Sequence, residues 1–291
     1  MSFLALLTKE LRSRMRRERT VWLMVVYIAL LGLAGWLVLQ TANVPATSNT
    51  LSMVGGILYY VLAMLQLFLI IFITPAFTAT AVNGEKERQT FDLLLCSQLT
   101  GLGLIAGKLL AGMVNALLLI ASSVPLFSLL LFFGGVSPTQ LLAVLLIYIV
   151  TTLFIGNLGL FSSVIIKRPA ISTALTYVIT LFWLGFPLAI STLWYPLTRR
   201  SPTSSELFFI LAWNPFAAVV SLDPSTGSSM LLRISNTLSL PLWIGYTVID
   251  LAIAIIFFIV SAALARPYFP KIAPAPIKGK KEMHKGVEVT A

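Results

Sequence analysis

The chain has 291 residues, 58% of them hydrophobic and only 10% charged, with a formal net charge of +10. A soluble domain needs roughly 25% charged residues to solvate its surface, so this composition excludes a water-soluble globule, and because backbone groups facing lipid must be satisfied within their own segment it predicts an all-α membrane protein. One cysteine, Cys96, excludes an internal disulfide, and with the single His284 it excludes a Cys/His metal cluster.

Residues 1–18 come first. Phe3, Leu7, Leu11 and Met15 recur every four residues while Lys9, Arg12, Arg16 and Arg17 take the other faces. This pattern predicts an amphipathic helix in the headgroup layer, its arginines beside anionic lipid. The apolar run that follows exceeds a usual signal h-region and no small-x-small site comes directly after it, so it is expected to be retained. A helix needs about 20 apolar residues to cross a hydrocarbon core of about 30 Å. Six segments qualify: Val21–Gln40, Leu51–Val82, Leu102–Phe133, Gln140–Ile166, Ile171–Trp194 and Pro241–Leu264.

The basic residues orient these spans. Of the 20 Lys and Arg, all but Arg199, Arg200 and Arg233 precede the first span, lie near the loops after the second and fourth, or follow the sixth. Both termini are therefore expected in the cytoplasm, in a multi-pass protein of the inner (plasma) membrane. The net positive charge reads as this bias and as contact with anionic lipid, not as a nucleic-acid footprint.

Pro75 falls near the cytoplasmic end of the second span, where it is expected to kink the helix. Beyond it, NGEKERQTFDLLL packs five charges into residues 83–95. Glu85 can meet Arg88 at i,i+3 and Arg88 can meet Asp92 at i,i+4, while Phe91, Leu94 and Leu95 share the other side. A short amphipathic helix over residues 84–96 is predicted, lying along the membrane. Glu85, Glu87 and Asp92 offset the positive charge, so topology alone does not account for the segment, and a mixed-sign surface suits protein docking.

The run PAFTATAVNGEKERQTFDLLLCSQLTGLGLIAGKLLAG resembles the ABC-2 family of transporter permeases. That family typically shows a proline late in the second span, an E-(R/K)-E-x-G-T-x-(E/D)-x-L-L stretch, and a G-K opening the third span. The matching residues are Pro75, Glu85, Lys86, Glu87, Thr90, Asp92, Leu94, Leu95, Gly107 and Lys108; Gln89 stands where the family usually has glycine. The resemblance implies that Glu85, Lys86, Glu87, Arg88, Thr90, Phe91, Asp92, Leu94 and Leu95 form a coupling helix seated on a separate ATPase subunit. It also implies a second permease chain, expected as a homodimer, and an N-terminal helix packed against the ATPase. The chain itself is expected to bind no cofactor, ATP and Mg belonging to the partner. Its nearest approach to a phosphate-cradling loop, GLGLIAGKLL, has Leu102 in place of the first glycine and Leu109 in place of Ser or Thr. In the same stretch Gly103, Gly107 and Ala111 make a small-residue face, and Lys108 is expected to snorkel to the interface.

The spans carry no histidine and one carboxylate, Asp250, so catalysis by paired acid and base is not expected and no catalytic or metal residue is assigned. An intramembrane carboxylate is costly; Asp250 either serves transport or holds helices together by a hydrogen bond. Gln66, Asn115 and Asn157 are single amides, and Thr173, Thr176 and Thr180 mark one face of the fifth span. In the resembled family the cavity lies largely between the first, second and fifth spans of two chains, which makes Gln66, Thr176 and Thr180 pathway candidates. Residues 201–224 hold two short apolar runs about Asn214–Pro215, predicting an outer re-entrant hairpin. Phe208, Phe209, Trp213 and Phe216 could close an exit there or form an interfacial aromatic belt. The Pro- and Lys-rich residues 266–291 read as an extended basic tail after the six-span domain of residues 19–265.

Taken together, the sequence predicts the permease subunit of an ATP-driven exporter for lipophilic or amphiphilic cargo. The alternative is an ion- or proton-coupled secondary transporter that uses Asp250.

Overall fold

The computed structural model describes residues 18–41, 48–87, 101–223, 231–233 and 239–265. The expected helix of residues 1–18, all but its last residue, and the basic tail lie outside them, as do residues 88–96 of the expected coupling helix. In chain order the elements are α1 (Glu18–Thr41), α2 (Ser48–Thr78), α3 (Asn83–Glu87), α4 (Gly101–Phe133), α5 (Pro138–Ile165), α6 (Pro169–Thr198), α7 (Ser204–Leu211) and α8 (Pro215–Val220). Two short strands, β1 (Leu231–Arg233) and β2 (Ser239–Pro241), pair antiparallel before α9 (Leu242–Ala265).

Among the described residues six helices are long and apolar enough to cross a membrane: Trp22–Thr41, Leu51–Thr78, Ile105–Phe133, Pro138–Ile165, Pro169–Thr198 and Leu242–Leu264. They coincide with the six predicted spans to within a few residues. The second span ends at Thr78, not Val82, because the chain turns through residues 79–82 into α3. Pro75 is carried inside α2, which continues to Thr78.

α5 is the hub. It packs most extensively on α9 and also meets α2, α4, α6 and α8. Leu31, Leu67, Ile147 and Tyr148 are fully buried in the main core, where the Tyr148 hydroxyl donates to the Ala63 carbonyl at 3.0 Å. A second cluster joins Val82, Ile105, Leu109, Met113, Leu160 and Val164 near α3. By contrast, α1 and α6 are the least buried spans. Trp22, Trp36, Val178 and Phe182 stand exposed on them, as side chains bathed in lipid do.

The turn from α4 to α5 needs its two glycines. Gly134 and Gly135 adopt φ +76° and +81°, and a Cβ on Gly135 would lie 2.1 Å from the Ser52 carbonyl oxygen. α5 then opens with a capping box in which the Ser137 hydroxyl accepts from the Gln140 amide and Gln140 Oε1 accepts from the Ser137 amide at 2.8 Å. α6 ends on Arg199 in a left-handed conformation, φ +57°.

One expectation is overturned. Lys108 does not snorkel into an open interface; it is 4% exposed and engaged within the protein. α4 begins at Gly101, so two helical turns already lie between Lys108 and the helix mouth.

Candidate functional site

At the end of the bundle that carries α3, one hydroxyl organises the backbone. Ser163, near the end of α5, is buried, and its Oγ accepts from the amides of Val82 at 2.9 Å and Asn83 at 3.0 Å. The buried Asn83 donates its Nδ2 to the Ile166 carbonyl at 3.3 Å. Ser172, in the first turn of α6, donates to the Ala79 carbonyl at 2.8 Å. The root of α3 is therefore bonded to α5 and α6 through otherwise orphaned backbone groups, a connection costly to break in an apolar bundle. Glu85, Lys86 and Glu87 continue this root as helix, with Glu87 exposed. Arg88, Thr90, Phe91, Asp92, Leu94 and Leu95 lie outside the described residues, and so do Lys9, Arg12, Arg16 and Arg17.

Several polar residues of the spans are buried. Gln66 is fully buried and accepts from the Tyr27 hydroxyl through Oε1, tying α2 to α1, while its Nε2 has no partner among the described residues. Thr176 and Thr180 are buried and donate to carbonyls of their own helix, those of Ser172 and Thr176, each at 2.8 Å. Asp250 on α9 is 0% exposed. The Tyr246 hydroxyl, one turn earlier, interacts with it but sits 2.7 Å from Thr151 Oγ1, and neither Asp250 oxygen has a hydrogen bond of good geometry.

An aromatic face lies on the α2–α6 surface. Tyr177 donates to the Phe72 carbonyl at 2.6 Å, its ring 6.2 Å from that of Phe72, which in turn lies 4.5 Å from Phe68. Phe68 and Phe72 are exposed in the single chain. They are spaced i,i+4 on α2, which was the available clue.

Beyond α6 the chain forms two short helices, α7 and α8, with a turn between them. Asn214 ends the turn by capping α8: Oδ1 accepts from the amides of Phe216 at 2.9 Å and Ala217 at 3.3 Å, and Nδ2 donates to the Leu184 carbonyl of α6 at 2.8 Å. The four aromatics part company. Phe208 is buried with its ring against Gly245 of α9, where a Cβ would lie 2.4 Å from Cζ; Phe209 is 63% exposed; Trp213 is exposed and Phe216 half-buried. Trp213 meets Trp183 edge-on at 5.3 Å, and Trp183 meets Phe154 at 5.1 Å, so an aromatic chain runs from the hairpin through α6 to the hub helix. The opening turn of the hairpin is held by Glu206, which binds Arg200 at 2.6 Å and the Thr203 amide at 2.8 Å. The Arg200 guanidinium, then the Thr203 amide, bring the Glu206 carboxyl down to about 2.

Among the described residues no group of His, Cys, Asp or Glu could hold a metal ion. The sequence profile described as "ABC-2 family transporter protein" matches residues 4–271. No curated protein matches the chain.

Proposed function

The chain belongs to the ABC-2 transporter family, and from that premise we propose that this multi-pass membrane permease is one half of an ATP-driven exporter whose ATPase is a separate chain. Residues 84–96 act as the coupling helix, with both termini in the cytoplasm. ATP-driven movement of the partner enters at that helix and reaches the spans through its root. The observation that carries this reading is the Ser163 hydroxyl holding the Val82 and Asn83 amides, because it joins the root of the coupling segment to the most buried span. A lever transmits displacement only if its base is fixed to what it moves.

Cargo passes between two copies of the chain. The exposed aromatics Phe68 and Phe72 support a lipophilic or amphiphilic substrate at such an interface. The hairpin of α7 and α8 gates the outer end, with Phe209 and Trp213 as the movable surface and Phe208 as its fixed anchor.

Co-purification with a separately encoded ATPase, paired with efflux from vesicles, tests the proposal. Glu87→Lys, at an exposed site, is expected to abolish the complex and ATP-dependent efflux while leaving the chain folded. Docking through this segment is refuted if both survive.

A second reading is favoured by one observation, the fully buried Asp250 carboxylate without a well-formed hydrogen bond. In that reading Asp250 carries a proton or cation and an ion gradient drives transport. It requires gradient-driven transport by the chain without any ATPase, lost in Asp250→Asn; the absence of such transport eliminates it.

A further inference from the structure

At the end of the bundle opposite α3, the first turns of α2, the α4–α5 turn and the end of α8 enclose a cavity of about 570 Å³. That volume suits a small molecule. Tyr59, Tyr60, Val219 and Asp223 are among the residues that line it. Tyr59 is 6% exposed, yet among the described residues its hydroxyl has no hydrogen-bond partner, an expensive condition for a buried polar atom. The Asp223 side chain lines the same cavity, and among the described residues no Lys, Arg or His does.

The position of Asp223 is fixed by the fold. Gln140 Nε2 donates to the Leu222 carbonyl at 2.9 Å, and the Asp223 amide donates to the Val220 carbonyl at 3.1 Å. The end of the hairpin is thereby pinned to the capping box of α5. On the other side the mouth is apolar and open, with Tyr60 42% exposed and Ile57 beside it.

We propose that this cavity binds an amphiphilic organic ammonium ion. A carboxylate and two electron-rich phenol rings select positive charge. The unpartnered Tyr59 oxygen accepts an ammonium N–H, and the open mouth lets an alkyl chain extend along the apolar face of α2. An anion of the same shape meets Asp223 unfavourably, and a neutral alcohol forfeits the charge interaction. The proposal does not rest on the export reading and holds whether or not ATP drives transport.

The test is saturable binding of radiolabelled octylammonium to the purified full chain in lipid nanodiscs, with octanol and octanoate as neutral and anionic isosteres. Octylammonium is expected to bind at least tenfold more tightly than either. Asp223→Asn should weaken it tenfold or more and Tyr59→Phe several-fold, with binding restored in Asp223→Glu. Gly56 lines the cavity and a Cβ there meets nothing within 4 Å, so Gly56→Leu fills the space without disturbing the core and should abolish binding. If octanol binds as tightly as octylammonium, or if no binding exceeds that of empty nanodiscs, the proposal is overturned. Undiminished affinity in Gly56→Leu overturns it as well, because the ligand would then lie elsewhere.

Discussion

Ser162 and Ser163 are neighbours on α5 with different tasks. Ser162 Oγ returns to the Leu158 carbonyl of its own helix at 3.0 Å, whereas Ser163 Oγ receives two amides from the turn that leads into α3. Removing Ser162 Oγ deletes a bond the helix hardly needs, at about 1 kcal/mol or less. Removing Ser163 Oγ strands two buried donors, at about 1–3 kcal/mol each. Thermal unfolding in detergent should therefore show Ser163→Ala clearly destabilised beside a near-neutral Ser162→Ala; equal melting temperatures would refute the clamp. Glu206 supplies a second residue-level expectation. Its carboxyl lies below the ordinary 4.5, at about 2, so the stabilisation it brings is complete above the ordinary value and is lost progressively as pH falls from there through about 2. Protease sensitivity of the α7–α8 hairpin should accordingly be flat from pH 8 down to about 5, and a loosening at pH 6 must come from another group. Neither serine partnership was legible beforehand, because a serine in an apolar run looks the same whichever carbonyl or amide it meets.

Elements were far easier to read than partners. The six spans follow from hydropathy and length, since lipid leaves a helix as the sole way to satisfy an unpaired backbone. Their ends were less legible. α5 starts two residues before its predicted boundary, at Pro138, although Ser137 and Gln140 carry the capping signature in the sequence. β1 and β2 were not predicted, since three residues are too few to establish alternation. The hairpin was expected from Asn214–Pro215, but its docking point was not: Gly245 reads as an isolated glycine in a span until the Phe208 ring is seen against it. Gly245→Ala forces that buried ring aside and should cost about 1–3 kcal/mol as overpacking. Phe208→Leu in the same background should recover part of the loss, so a double-mutant cycle on melting temperature should show favourable coupling. Strict additivity would mean that the two positions do not meet.

For the whole molecule, a buried hub in α5 with bare flanks at α1 and α6 is the arrangement of a unit that meets lipid or another copy on its outer helices. The direction in which that unit faces rests on charge, the distribution of Lys and Arg between alternate loops. The single cysteine makes this testable with little alteration. Cys96 falls in the same loop as the coupling segment, and Ser201, exposed between α6 and α7, falls on the opposite side of the predicted topology. A membrane-impermeant maleimide should label the native chain in inside-out vesicles and not in intact cells. The Cys96→Ser, Ser201→Cys double variant should show the reverse. Labelling of Cys96 from outside would invert the topology and remove residues 84–96 from any ATPase in the cytoplasm. It would leave the Ser163 clamp intact as a structural feature, so the experiment separates how the chain is built from how it is driven.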